Sequence, residues 1–78
     1  MKNRLKDFRE SLGLTQEQLG ELVGVSRQAI NAIETEKCEP SIWLAHDICK
    51  TFHCSIEEVF LFEESERKSR AEQSRGVV

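Results

Sequence analysis

Two apolar segments, each preceded by a helix-capping residue and separated by a short turn, constrain the fold of this chain more than any other feature. Thr15 and Ser26 both suit the N-cap position, because a side-chain hydroxyl can accept a hydrogen bond from a free N–H of the first helical turn. Thr15 and Gln18 also match the spacing of a capping box. Apolar residues recur at helical spacing after each cap, namely Leu19, Leu22 and Val23 and then Ile30 and Ile33. The pattern predicts helices over 16–23 and 27–34.

The turn between these helices is the segment Val23-Gly24-Val25. Gly24 supplies a residue that can adopt a positive φ without steric cost. Gly20 is small enough for the second helix to pass close to it, so we expect the two helices to cross steeply there. A short turn that holds two helices at a steep angle is a helix-turn-helix. In that arrangement the second helix enters the major groove of DNA.

This stretch resembles the helix-turn-helix of the Cro and phage-repressor (Xre-type) family of transcriptional regulators. The resemblance extends over roughly residues 3–62. It departs from the family at Gly20, where alanine is more common and would favour the helix by about 1 kcal/mol. The resemblance implies an all-α, five-helix phage-repressor-like DNA-binding domain. The matching positions are Gly13, Leu14, Thr15, Gln16, Leu19, Gly20, Val23, Gly24, Val25, Ser26, Ile30, Ile33, Glu34, Pro40 and Ser41.

The rest of the chain fits a single small helical domain. Its 78 residues are enough for one domain, and the presence of one proline and four glycines favours an all-helical fold. We expect a first helix over about 4–12 with Asn3 as its cap. Pro40 stops any continuation of the third helix. A fourth helix is expected over about 42–52, and a fifth is expected after Ser55, which forms a capping box with Glu58.

Composition changes near residue 64, so we expect residues 1–64 to form the DNA-binding domain and 65–78 a charged tail. The tail is too polar to join a core and is either a solvated helical extension or disordered. The net charge of −3 lies entirely in residues 38–78, since residues 1–37 carry six basic and six acidic side chains. Non-specific DNA affinity increases with the number of phosphates neutralised. This distribution therefore favours a reader of specific sequence over a general DNA coat.

The N-terminal half of the second helix of the motif holds the side chains expected to contact bases. Arg27 can make a bidentate contact with guanine, and Gln28 can do the same with adenine. Asn31 lies one turn further on and can reach a base or the sugar-phosphate edge, and Ala32 can touch a thymine methyl group. The alternative is that these polar residues form only a solvated helix face. Their position directly behind the Ser26 cap favours the DNA interpretation.

The family resemblance also implies contacts with the DNA backbone. By that resemblance Gln16, at the start of the first helix of the motif, holds a phosphate with help from the helix N-terminus. Ser26, Lys37 and Ser41 are backbone-contact candidates on the same grounds. Trp43 lies beside the apolar face of the fourth helix, where it either covers a neighbouring helix end or contacts a phosphate or a partner subunit through its indole N–H.

Two further predictions concern structure and assembly. Arg9 and Glu34 match the family's charged pair, and the resemblance implies a structural ion pair between the first and third helices. Phe60, Leu61 and Phe62 are more apolar surface than a small core can cover, and they follow the last helix. We expect them to form a two-fold dimer interface, either as a short antiparallel strand pair, as in some family members, or by packing of the fifth helix against its mate.

The three cysteines are an odd number in a chain that we expect to be cytoplasmic, so a disulfide framework is not expected. Cys49 and Cys54 are expected to behave as small apolar residues, and Cys38 as an exposed loop residue. His46, Cys49 and His53 stand on one face of the fourth helix, which raises the alternative of a zinc site. The spacing is loose, and we expect no metal and no cofactor.

No serine or cysteine has a histidine base at a plausible position, so we do not expect an enzyme. The N-terminus shows no signal peptide and no stretch reaches membrane-spanning length, so we expect a cytoplasmic protein. The sequence predicts a sequence-specific DNA-binding regulator, a repressor, that binds an inverted-repeat operator in double-stranded DNA as a homodimer. The first alternative is an antitoxin or protein-interaction adaptor with the same fold, which the acidic second half favours. The second is a metal- or thiol-responsive sensor.

Overall fold

The computed structural model describes residues 1–66. Within that range the fold is all-α, as predicted, and an isolated antiparallel bridge joins Asn3 and Phe60. The motif helices have the predicted bounds, whereas the first helix is one residue shorter at each end than expected. The helices are α1 (Leu5–Ser11), α2 (Gln16–Val23), α3 (Arg27–Glu34), α4 (Ile42–Phe52) and α5 (Ile56–Val59), followed by a short 3-10 helix at Glu64–Glu66.

The predicted caps fix where the motif helices begin. Thr15 Oγ1 accepts a hydrogen bond from Gln18 N at 3.0 Å, and Gln18 Oε1 accepts one from Thr15 N at 2.8 Å, which completes the capping box. Ser26 Oγ accepts from Ala29 N at 3.2 Å and so caps α3. These bonds satisfy backbone donors that the first turn of each helix leaves free.

The turn between α2 and α3 depends on two glycines. Gly24 adopts a left-handed conformation with φ of +77°, and Val25 N donates to Gly20 O at 2.9 Å. A Cβ atom on Gly20 would lie 2.5 Å from the carbonyl oxygen of Val25. The close approach expected at Gly20 is therefore present, but it is made with the backbone of the turn rather than with side chains of α3.

All five α-helices surround one hydrophobic core. Phe8 and Phe52 add a ring contact at 5.6 Å beside the core. The buried apolar side chains come from every α-helix and from the residue that follows α5: Leu5, Leu19, Ile30, Ile33, Leu44, Ala45, Ile48, Cys49, Val59 and Phe60.

Three apolar residues whose helical spacing would suit a core position do not lie in the core. Leu12, Leu22 and Ile42 are 55%, 61% and 81% exposed. On α1, the buried position one turn after Leu5 is taken by Arg9 instead of a further apolar residue. The apolar stripes predicted from sequence were therefore wider than the surfaces that neighbouring helices cover.

The segment after α5 pairs with the N-terminus of the same chain. Arg4 N donates to Val59 O at 2.7 Å and Leu61 N donates to Lys2 O at 2.9 Å. This pairing brings Phe60 into the core, where it is 1% exposed. The assignment of Phe60 to a dimer surface was therefore wrong, because its side chain is already covered within one chain. Leu61 is half-buried and Phe62 is 61% exposed.

The predicted tail at 65–78 falls almost entirely outside the described residues. Within residues 1–66, none of the helices has the length and apolar character needed to cross a membrane.

Candidate nucleic-acid interface

The outer face of α3 presents a row of polar side chains. Arg27, Gln28 and Asn31 are exposed, while Ala32 is half-buried. Ile30 and Ile33, on the opposite face, are in the core. Burial of those two isoleucines fixes how α3 is rotated about its axis, and this rotation turns the polar row outward. Gln16 joins three of these residues, Arg27, Gln28 and Asn31, in lining a shallow cleft of about 230 Å³.

Gln16 links the two helices of the motif through its side-chain amide. Its Nε2 atom donates to Asn31 Oδ1 and to Glu34 Oε1, both at 3.1 Å. An amide nitrogen carries two hydrogens, so these two bonds use both of them. The start of α2 is thereby attached to the middle and the end of α3.

The carboxylate of Glu34 lies at the inner end of this network. Arg9 Nε donates to Glu34 Oε2 at 2.7 Å and Arg9 Nη2 donates to Glu34 Oε1 at 3.2 Å. The side chains are 11% and 4% exposed respectively. Hydrogen bonding to Glu34 raises the pKa of Arg9 above its usual value and outweighs the lowering effect of burial. Arg9 Nη1 also donates to the carbonyl oxygen of Leu14 at 2.7 Å. The pair expected from the sequence thus joins α1, the first loop and α3.

The residues expected at the DNA backbone occupy two different settings. Ser26 and Ser41 use their hydroxyl oxygens as helix caps, the second accepting from Leu44 N at 3.2 Å. Lys37 is exposed in the loop before α4. Trp43 is 74% exposed and lies edge-on to His46, with ring centroids 5.9 Å apart. Its indole ring therefore leaves most of its surface accessible at the start of α4.

The cysteine and histidine residues of α4 do not come together as a ligand set. Cys49 is buried, with its thiol directed at the carbonyl of Ser55 at 3.7 Å, while His46 and His53 are exposed. Burial raises the pKa of Cys49 to about 11. Across residues 1–66, no group of three or more His, Cys, Asp or Glu side chains could hold a metal ion. Cys38, expected to be exposed, is half-buried.

The sequence profile of the helix-turn-helix family matches residues 5–59, which is more than half of the chain. The chain belongs to the Xre/Cro-type helix-turn-helix family. Its members are DNA-binding transcription regulators, which are not a class of enzymes. This helix-turn-helix protein is 50% identical over 64 residues to the transcriptional regulator YgzD of Bacillus subtilis, covering 82% of this chain and 97% of YgzD. It is also 50% identical over 66 residues to a regulator of Methanocaldococcus jannaschii, covering 85% of this chain and all of that protein.

Among solved structures, the helix-turn-helix protein is similar to the P22 c2 repressor, whose crystal structure contains synthetic operator 9T. The TM-score is 0.67 at 33% sequence identity, and the match covers 69% of this chain and 82% of the repressor chain. The likeness agrees with the five-helix fold expected from the sequence.

Sequence reasoning assigned Gln16 to a phosphate and missed its bonds to Asn31 and Glu34. It also missed the bond from Arg9 to the carbonyl of Leu14. Nothing in the linear pattern indicates these contacts, because they join residues brought together only by the crossing of helices. The signal that was available was the polarity of Gln16 at the first position of α2, next to a helix that carries Asn31 and Glu34 on adjacent turns.

Proposed function

We propose that this DNA-binding regulator is a repressor that binds an inverted-repeat operator as a homodimer, with α3 in the major groove. The observation that carries the proposal is the exposed polar row of α3, formed by Arg27, Gln28 and Asn31 directly behind the Ser26 cap. These side chain types match the hydrogen-bonding patterns of base edges in the major groove. Their exposure on a helix whose other face is buried is what direct readout requires.

Repression is supported by the likeness to the P22 c2 repressor bound to an operator. A domain of this size that occupies an operator can act by excluding other proteins from the same DNA. The backbone contacts proposed for Ser26, Lys37, Ser41 and Trp43 would set the register of α3, since phosphate contacts position a protein without reading sequence. Gln16 belongs with them through its backbone N–H at the start of α2, because both hydrogens of its side-chain amide are used by Asn31 and Glu34.

Dimer formation is proposed through Leu61 and Phe62. Leu61 pairs with Lys2 through its backbone N–H, Phe62 comes directly after it, and the side chain of Phe62 is 61% exposed. A two-fold axis near this segment makes the contact self-complementary, as an isologous interface requires. Recognition helices in such a dimer lie about 34 Å apart, so we expect half-site centres about 10 base pairs apart.

Selection of bound duplexes from a random DNA pool, followed by affinity measurement with variants, tests the DNA assignment. Arg27→Ala should weaken operator binding by about 1–3 kcal/mol per half-site and relax the preference at one base position. Lys37→Ala should weaken binding to all sequences alike and lower the salt slope by about one unit. Lys6→Ala removes the same charge from the exposed face of α1 and is the matched control.

Equal losses of operator and random-DNA binding in Arg27→Ala would make Arg27 a phosphate contact and would contradict the placement of α3. A wild-type protein with no preference among DNA sequences would favour the adaptor interpretation instead. Salt is held fixed across all comparisons, because affinities for DNA depend steeply on it.

Sedimentation tests the dimer. The double variant Leu61→Glu, Phe62→Glu should be monomeric and folded. Leu22→Glu is the matched control, because Leu22 is exposed to the same extent as Phe62, 61%, but lies on α2. A folded double variant that remains dimeric would place the interface elsewhere.

A further inference from the structure

We propose that Asn31 reads a hydrogen-bond acceptor on a base edge, and that the buried carboxylate of Glu34 sets this polarity by acting through Gln16. Asn31 is then a specificity-determining residue, whereas Gln16 and Glu34 are positioning residues. The proposal rests on the proposed function, since it specifies what one side chain of α3 recognises in the groove.

The direction of each hydrogen bond in the network is determined by the carboxylate of Glu34, which lies at its buried end. Glu34 is paired with Arg9 through both carboxylate oxygens, and an ionised carboxylate can only accept hydrogen bonds. Gln16 must therefore present its NH₂ group to Glu34, with Nε2 at 3.1 Å from Oε1. The opposite orientation would place two acceptor oxygens against each other.

The same nitrogen of Gln16 reaches the side chain of Asn31 at 3.1 Å. Because Nε2 can only donate, Asn31 must present Oδ1 to it. An amide rotated by 180° would place two NH₂ groups in contact. The two amide orientations, which are normally assigned by optimising hydrogen bonds, are thus determined here by a charge that cannot change its role.

The consequence lies at the solvent-facing side of Asn31. Its oxygen is directed at Gln16, and within residues 1–66 its Nδ2 atom makes no hydrogen bond, so a donor remains for DNA. In the major groove guanine offers two acceptors, N7 and O6, whereas cytosine offers only the N4 amino donor. Asn31 should therefore favour guanine over cytosine at the base that it contacts. An unrestrained asparagine could turn its oxygen to the cytosine amine and would discriminate poorly.

Competition binding with operator duplexes that differ only at the contacted base measures this discrimination. The wild-type protein should prefer guanine to cytosine there by about tenfold, the scale of one good base contact. Gln16→Met removes the amide but keeps a side chain of similar length, and the ratio should fall to about twofold or less. Asn31→Asp keeps the oxygen that faces Gln16 and replaces the donor by an acceptor, so the preference should reverse towards cytosine.

Ratios are compared, not absolute affinities, because the added charge of Asn31→Asp weakens binding to every duplex alike. Glu17→Ala, on the exposed first turn of α2, is the control for a change beside Gln16 and should leave the ratio unchanged. Thermal melting of each variant verifies that it is folded. A guanine preference that persists in Gln16→Met overturns the proposed relay, by which we mean the action of Glu34 on Asn31 through Gln16. An Asn31→Asp variant that still favours guanine overturns it as well.

Hydrogen exchange of side-chain amides in the free protein gives a readout that does not involve DNA. The Nε2 protons of Gln16 should exchange several-fold more slowly than those of Gln28, which is exposed and makes no side-chain hydrogen bond within the described residues. The Nδ2 protons of Asn31 should exchange as fast as those of Gln28. Protected Asn31 protons with unprotected Gln16 protons would reverse the polarity and overturn the proposal.

Failure of the proposed function and failure of this further inference give different results. A protein without any sequence preference contradicts the proposed function, and the base readout by Asn31 falls with it whatever the exchange rates are. A protein with a clear operator whose guanine-to-cytosine ratio is insensitive to Gln16 retains the proposed function and refutes only the relay.

Discussion

Removal of Arg9 should be the most damaging single change among the charged residues of α1. Arg9→Ala deletes three hydrogen bonds, two to Glu34 and one to the carbonyl of Leu14. Glu34 would keep one partner, Gln16, while its side chain is only 4% exposed. A buried charge that loses its partner costs about 3–5 kcal/mol. A chain of 78 residues has about 4–12 kcal/mol of total stability, so the variant should lose a large part of it.

Thermal and urea unfolding followed by circular dichroism measure the loss. For a domain of this size each kcal/mol moves the Tm by about 4–8 °C, so we expect Arg9→Ala to melt at least about 12 °C below wild type. The double variant Arg9→Met, Glu34→Leu removes both charges together and should recover most of the stability, because well-packed apolar replacements of a buried pair are often neutral or stabilising.

The pair between Lys2 and Glu63 is the matched control. Its atoms are 3.5 Å apart, but the side chains are 54% and 43% exposed, and exposed pairs contribute only about 0–1 kcal/mol. Glu63→Gln should therefore change the free energy of unfolding very little. An Arg9→Ala variant that melts within a degree or two of wild type, or no lower than Glu63→Gln, would refute the reasoning and make the buried pair equivalent to a surface contact.

Three further predictions concern the turn, the end of α4 and its buried thiol. Gly20→Ala should lower the free energy of unfolding measured in urea. A Cβ atom would lie 2.5 Å from Val25 O, and such overpacking costs about 1–3 kcal/mol, whereas the gain in helix propensity is about 1 kcal/mol. A variant more stable than wild type would mean that the turn moves away from the new methyl group without cost. His53 has φ of +54°, so His53→Gly should raise the free energy of unfolding by up to about 1 kcal/mol; a loss of stability would show that the imidazole makes an unrecognised contact. Burial raises the pKa of Cys49 from 9.0 to about 11. Above pH 9 the Cys49 thiol therefore loses its proton in the unfolded chain but keeps it in the folded protein, so the free energy of unfolding should fall as the pH rises from about 9 to 11. A Cys49→Ala variant with the same fall would assign it to other groups.

Local signals in the sequence were sufficient for the helix boundaries of the motif. Thr15 and Ser26 act within three residues of themselves, so α2 and α3 begin where their caps predict. Gly24 adopts the left-handed conformation expected at the end of α2, and His53 has the same conformation at the end of α4. Each of these features depends on a hydrogen bond or a steric limit inside one turn, and a linear pattern contains that information.

Burial was less predictable, because it depends on which neighbour covers a given side of a helix. Leu22 and Ile42 satisfy the helical spacing of a core residue but face outward. Phe60 is the opposite case, because the sequence predicted an exposed apolar side chain. The backbone pairing of Leu61 with Lys2 holds this segment against the N-terminus, and Phe60 is buried in the core. That pairing joins residues almost sixty positions apart in the sequence, and no periodicity reports it.

The candidate site divides in the same way. Arg27 and Gln28 could be placed on the outer face of α3 from its period alone, since Ile30 and Ile33 define the inner face. The link from Gln16 to Asn31 could not, because it requires the crossing angle of two helices. Gly20 allows the backbone of the turn to approach α2 closely, so a residue without a side chain contributes to the crossing that brings the two amides together.

A small domain of this kind has little apolar surface with which to hold one eight-residue helix against another. Besides the core that α2 and α3 share, their crossing is supported at three points of different chemistry. Gly20 admits the backbone of the turn, the left-handed Gly24 sets the direction of the chain, and Gln16 attaches the open end of the crossing to Asn31 and Glu34. Because the third point also faces the proposed groove surface, any change that loosens it alters the orientation of Asn31 as well as the stability of the motif. Folding and the base readout that we propose for Asn31 therefore share the carboxylate of Glu34, and a substitution there should affect DNA preference even though the side chain of Glu34 is buried.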